Sequence, residues 1–173
     1  MTPLAVDPFL ASLDSLVEPQ AATKSLTLDY VPCDPSLAAE ADSEKLRQIL
    51  LNLVSNAIRY TGPGGRVTLS ADAMDESRVA ITVTDSGIGI PEESLEQIFE
   101  PFVQLDRSLT RVRDGIGLGL SISRDLARGM GGDLTVESRL AEGSRFSIIL
   151  PRASILDVRT IPTRSGEQPA VRG

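Results

Sequence analysis

Two asparagines, Asn52 and Asn56, stand four residues apart in the run LNLVSNAIRYT (51–61). The spacing around them is that of a helix with one apolar face, yet asparagine is a poor helix former because its amide competes for backbone hydrogen bonds. Glu44, Gln48, Asn52, Asn56 and Arg59 step by four, four, four and three, so they share the face opposite the apolar stripe. Such a face is either a solvated surface or a row of groups for a polar ligand. Downstream, DSGIGIP (85–91) follows a strand-like run directly. Glycines at 87 and 89 let a ligand approach the main chain. An ionised Asp85 can accept from an exocyclic amine such as that of adenine, and a hydrogen bond to a charged group contributes roughly 1.5–3 kcal/mol. In DGIGLGLSIS (114–123), Gly115, Gly117 and Gly119 open a helix. Free N–H groups and the positive helix end at such a turn suit a phosphate. The spacing is neither the dinucleotide fingerprint nor a P-loop. Taken alone, each glycine turn also reads as a packing requirement with no ligand.

The bulk of the sequence narrows the classes. The 173 residues are 41% hydrophobic, enough for one domain with its own core. A net charge of −7 with no basic run argues against sequence-independent nucleic-acid binding. Cys33 is the sole cysteine and there is no histidine. An internal disulfide is therefore excluded, a zinc cluster is not indicated, and the usual general base is missing. No apolar run reaches membrane-span length and no signal peptide is visible at Met1. The expectation is a cytoplasmic domain without membrane contact.

These groups need elements to position them. Phe9, Leu10, Leu13, Leu16 and Val17 predict a helix over 7 to about 22, with Asp7-Pro8 as its start. SLTLDY (25–30) alternates like a strand, and the turn-rich VPCDPSLAAEAD ends at Asp42, an N-cap. The helix from about Ser43 to Tyr60 buries Leu46, Ile49, Leu50, Leu53, Val54, Ala57 and Ile58. Strands RVTLSAD and RVAITVTD flank a turn at 75–77. A short helix near 92–98 follows, then a long charged connection at 104–114 that reads as a lid or disordered loop. The next helix has apolar positions Ile122, Leu126 and Met130 and stops at Gly131-Gly132. LTVES and SRFSIILP are the closing strands. The expected fold is an α/β two-layer sandwich: one mixed sheet of about five strands with about three helices on one face. The domain is expected over 6–151, with 152–173 a tail or linker rich in Pro, Arg, Gly and Ser.

Five signatures in order carry a resemblance. DSEKLRQILLNLVSNAIRYT resembles the asparagine box of the catalytic ATP-binding domain of sensor histidine kinases, within the gyrase–Hsp90–histidine kinase–MutL ATPase group. DSGIGIP resembles its first glycine box, IFEPFVQLD its phenylalanine box, GIGLGLSIS its second glycine box, and MGGDLTVES with GSRFSIILP its ending. The resemblance implies the Bergerat-type fold with an ATP lid, and ATP and Mg²⁺ as ligands. Asn56 matches the asparagine that ligates Mg²⁺ on the phosphates; Arg59 stands where lysine is frequent and should reach a phosphate; Tyr60 should lie against the nucleotide. The implied ATP site also takes in Asn52, Asp85, Gly87, Ile88, Gly89, Ile90, Phe102, Arg111, Arg113, Gly115, Ile116, Gly117, Leu118, Gly119, Leu120 and Ser144. Ile116 replaces a frequent threonine, and Ser144 stands for a threonine near the aspartate.

Related hydrolysing ATPases carry a glutamate about where Asn52 stands. An amide cannot accept a proton at neutral pH, so the resemblance points to γ-phosphoryl transfer rather than hydrolysis. Asn52, Asn56 and Arg113 are the implied catalytic set. The acceptor would be a histidine on a separate dimerisation domain absent from this chain, with a response regulator or receiver domain downstream, and the isolated domain would be a monomer. Two alternatives remain: a nucleotide-binding regulatory module without kinase activity, and a serine kinase of the anti-sigma-factor type. The phenylalanine box, IFEPF, argues against the latter.

Overall fold

The computed structural model describes residues 1–102 and 119–154. Its elements are β1 (Thr2–Ala5), α1 (Val6–Thr23), β2 (Thr27–Tyr30), β3 (Ala38–Ala41), α2 (Ser43–Tyr60), β4 (Arg66–Ala73), β5 (Arg78–Asp85), α3 (Gly119–Gly129), β6 (Asp133–Arg139) and β7 (Gly143–Ala153). The strands lie in the order β1-β3-β7-β5-β4-β2, with β6 also paired to β7. The sheet is mixed, because β2 runs parallel to β4 while every other pairing is antiparallel. All three helices pack on one face over a single core, which gives the expected two-layer sandwich.

Two strands exceed the expected five. TPLA and AAEA are four residues each and, in the second, alanine-rich. Alanine has little intrinsic strand preference. The segments extend because they pair with each other and, through Ala38 and Ala39, with the end of β7. The sheet therefore runs from Thr2 to Ala153, slightly beyond 6–151 at both ends.

Helix α2 follows its sequence closely. Asp42 caps it, with Oδ1 accepting from the Glu44 N–H at 3.0 Å and the Lys45 N–H at 3.1 Å. These bonds, that of Lys45 first, hold the carboxyl below the ordinary aspartate range. The seven residues of its apolar stripe are all buried. Strand β5 alternates likewise: Val79, Ile81 and Val83 face the helices, and the same period carries Asp85 to that side. A carboxylate thus occupies a core-facing register at the end of the strand.

Elsewhere the structure corrects the reading. Leu16 of α1 is exposed while its periodic partners are buried. Asp7 does not cap α1, which starts one residue earlier on Ala5. Its carboxylate instead accepts from the Tyr30 hydroxyl and, at 2.9 Å, from the Cys33 N–H. Burial and, next, the Asp7 charge push the Cys33 thiol up to about 11. The segment 92–98 forms two single 3₁₀ turns, Glu92–Ser94 and Gln97–Phe99, since so short a run cannot offset helix nucleation. On α3 the buried residues are Ser123 and Ala127, with Met130 just beyond, while Ile122 is exposed and Leu126 half-buried. The face that α3 buries carries the small residues Ser123 and Ala127, and Ser123 meets Asn52 of α2. Among the described residues, no helix is long and apolar enough to cross a membrane.

Candidate functional site

The site is built where the C-terminal half of α2 meets the turn after β5. Glu44 and Gln48 are exposed, whereas Asn52, Asn56, Arg59 and Tyr60 on the same helix are half-buried. The polar stripe therefore enters the body of the protein, which a merely solvated face would not do. Lys24, between α1 and β2, fixes this end: its Nζ donates to the carbonyls of Ile58 at 2.8 Å and Arg59 at 2.9 Å. A cation there satisfies terminal carbonyls and complements the negative helix end.

Asn52 has a defined partner. Its Nδ2 donates to Ser123 Oγ on α3 at 3.1 Å. Its Oδ1 faces the start of α3, where a Cβ on Gly119 would lie only 2.4 Å from it. A Cβ there would displace the Asn52 amide, and that amide ties the helix of the second glycine box to α2. Leu120, the next residue, packs half-buried against the core. The phenylalanine box grips α3 from the other side: the Arg124 guanidinium stacks 4.5 Å above the Phe99 ring and pairs with Asp133 at 3.0 Å. Phe102, expected at the ATP site, is 69% exposed with a φ of 65°. Phe99 is the ring that packs inward.

Asp85 is only 8% exposed. Its Oδ1 accepts from the Gly87 N–H at 2.9 Å, and the Ser144 backbone also supports it. Burial pushes the carboxyl above its ordinary range, and these two donors oppose the shift. Ser144 stands directly opposite Asp85 in the β5–β7 register. Gly143, with a φ of 98°, allows that approach, since a Cβ there would meet the Asp85 carbonyl oxygen at 2.0 Å. The turn itself is clamped on two sides. The Ile88 N–H donates to the Tyr60 carbonyl at 3.2 Å, and the Ala141 N–H to the Ile88 carbonyl at 2.8 Å. Ser138 on β6 is the hub: its hydroxyl accepts from the Ile90 N–H, donates to the Gly143 carbonyl and lies 2.8 Å from Ser144 Oγ. Gly87 and Gly89 are buried, Ile90 is half-buried against the core, and Ile88 is 47% exposed at the rim. An open cleft of about 880 Å³ lies here, lined in part by Asp85, Pro91, Ser138, Leu140, Gly143 and Ser144. Tyr60, Gly87 and Ile88 do not line it, whereas Glu92, Glu93, Glu137 and Glu142 do, so it opens toward β6 and β7 rather than toward α2. Asn52 and Asn56 are not among its described walls.

The structure thus brings Asn52, Asn56, Arg59, Tyr60, Asp85, Gly87 to Ile90, Gly119, Leu120 and Ser144 to one end of the sandwich. Arg111, Arg113, Gly115, Ile116, Gly117 and Leu118 lie outside the described residues. Sequence reasoning missed Lys24, Ser123 and Ser138. Each owes its role to a partner elsewhere in the fold, and only the core-facing alternation of β6 hinted at Ser138. Among the described residues no group of three or more Asp, Glu, Cys or His could hold a metal alone. The half-buried Asn56 amide could offer one oxygen to a divalent cation that takes its other ligands from a bound molecule and water.

A sequence profile of the histidine kinase-, DNA gyrase B- and HSP90-like ATPases matches residues 41–154. This chain belongs to that ATPase family. Within the family it is similar to sensor histidine kinase WalK of Bacillus subtilis, 39% identical over 119 residues, covering 68% of this chain and 20% of WalK. The catalytic domain of histidine kinase ThkA superposes with a TM-score of 0.75 at 30% identity, over 87% of this chain and 97% of ThkA's domain. Full-length ShkA in complex with AMPPNP superposes with a TM-score of 0.74 at 35% identity, over 88% of this chain and 31% of ShkA. The match to ThkA spans almost its whole catalytic domain, whereas the chain spans about a fifth of the length of WalK. The fold is that of histidine kinase ATPase domains, including the sheet and three-helix layer described above.

Proposed function

We propose that this domain binds Mg-ATP and passes the γ-phosphate to a histidine on a separate dimerisation domain, as the catalytic part of a two-component sensor histidine kinase. The observation that carries this reading is the buried Asp85 carboxylate at the end of β5, in a turn that the Ile88 N–H ties to the Tyr60 carbonyl at the end of the asparagine-bearing helix. A buried charge needs compensation. The exocyclic amine of adenine supplies a donor, and no ion pair to Asp85 exists among the described residues.

Each described residue then has a task. Asp85 accepts from the purine amine while Ser144 flanks it, and Tyr60 and Ile88 bound the base. Asn56 offers its amide oxygen at the phosphate end beside Arg59. When bound, Mg²⁺ neutralises phosphate charge. Asn52 spends its nitrogen on Ser123 and has no basic group to activate water, so positioning rather than hydrolysis is served. Arg111 and Arg113 are assigned to phosphate charge, and Gly115 to Leu118 to the phosphate cradle, on sequence grounds alone. The catalytic unit is proposed over 6–151, extended by β1 and the end of β7, with the remainder a tail. A response regulator downstream, a cytoplasmic location and a monomeric isolated domain complete the proposal.

The test mixes the chain with γ-labelled ATP and a candidate cognate hairpin domain carrying the acceptor histidine. Label on the hairpin that is lost in acid and stable in base is the expected result. Acid-stable label on serine, or release of phosphate outpacing transfer, would overturn the assignment.

A further inference from the structure

Thr61 follows α2 directly and is 1% exposed. Its γ-methyl lies against Gly65, where an added Cβ would be 2.3 Å from Thr61 Cγ2. Its hydroxyl faces the turn after β5. The point at which a side chain on Gly87 would begin is 3.0 Å from Thr61 Oγ1 and 2.8 Å from Asp85 Oδ1. Yet Thr61 Oγ1 has no hydrogen-bond partner among the described residues. Nearly all buried hydroxyls are bonded, because leaving one unpaired away from water is strongly unfavourable. A partner is therefore called for, and since Thr61 Oγ1 and Asp85 Oδ1 both flank Gly87 they lie at most about 6 Å apart, a span that a single water can bridge.

We propose that Thr61 is a positioning residue for the base-binding carboxylate: its hydroxyl donates through one buried water to Asp85 and fixes the direction in which that carboxylate faces the purine. The proposal rests on the reading that Asp85 meets the nucleobase. It explains why threonine stands here. Valine would fill the space against Gly65 equally well, but only a hydroxyl adds a donor to a carboxylate whose other support comes from the backbone of Gly87 and Ser144.

Calorimetric binding of ADP to Thr61→Val, Thr61→Ser, Asp85→Asn and the double variant Thr61→Val/Asp85→Asn tests it, with thermal melting of each ligand-free protein alongside. Thr61→Val should bind about fivefold more weakly, the effect of one ordinary hydrogen bond. Thr61→Ser should stay within about twofold of the parent, because it keeps the donor. In the Asp85→Asn background, Thr61→Val should cost nothing further. Wild-type affinity in Thr61→Val, or independent losses in the double variant, would overturn the proposal. Equal losses in Thr61→Val and Thr61→Ser with a lowered melting point would overturn it in favour of methyl packing. Undiminished binding by Asp85→Asn would instead strike the underlying reading of Asp85.

Discussion

Asp85→Asn should move binding and stability in opposite directions. The substitution keeps shape and an oxygen for the Gly87 N–H, so the turn can persist. It removes the charged acceptor and can present a second donor to the purine amine. Loss of a hydrogen bond to a charged group costs about 1.5–3 kcal/mol. At 1.36 kcal/mol per factor of ten, ADP should bind about 10- to 150-fold more weakly. Stability runs the other way. Burial raises the Asp85 carboxyl above its ordinary value, so the folded state prefers the protonated form. Its favourable contribution is complete below the unfolded value and disappears as pH rises through the raised folded one. At pH about 7.5 the ligand-free protein therefore bears the cost of a buried charge, and the asparagine variant does not. The variant should melt higher at that pH, and the gap should shrink in acid. Calorimetry with ADP and melting curves at two pH values measure both effects. A variant that binds like the parent, or melts lower at neutral pH, would refute the reasoning.

Asn56→Ala should leave ADP affinity without Mg²⁺ within about twofold, while the gain on adding Mg²⁺ falls by at least about tenfold, as even disturbed partners of metal ligands lose that much; titrations with and without the cation decide, and an intact gain would remove Asn56 from the metal. Ser123→Ala strands the Asn52 amide and should cost about 0.5–1.5 kcal/mol in urea unfolding; an unchanged midpoint would show that α3 is held without this bond. Lys24→Met should lower stability by about 1–2 kcal/mol by uncovering the last carbonyls of α2, and hydrogen exchange at Arg59 and Tyr60 should quicken; unchanged protection there would refute the capping role.

Where one side chain sees water and the next sees core, the sequence was readable. The seven buried residues of α2 and the alternation of β4 and β5 are patterns of period 3.6 and 2, set by partition from water. They also put Asp85 at the end of its strand and the asparagines on one face of α2, whereas bringing the two together rested on the family resemblance. Ala38 to Ala41 gave no such signal, because their strand exists only through pairing with β1 and β7. Helix α3 misled for a related reason. Hydrophobicity chose Ile122 for the interior, but α3 buries its Ser123 and Ala127 face, with the Ser123 hydroxyl taken up by Asn52 on α2. Lys24, Ser138 and Thr61 act on groups brought near by the fold, and nothing in their local runs announces the partner. The stretch from 103 to 118, with Arg111 and Arg113, lies outside the described residues, so those assignments rest on motif likeness.

The Asp7–Tyr30–Cys33 cluster at the head of α1 has a chemical consequence. With its pKa at about 11, the sole sulfur nucleophile of this protein is almost wholly a thiol at neutral pH, and alkylators and oxidants act on thiolates. Redox chemistry has no easy entry here, and covalent dimers through sulfur should form slowly even in air. Cys33 is only half-buried, so slow alkylation there reports the scarcity of thiolate rather than shielding by the fold.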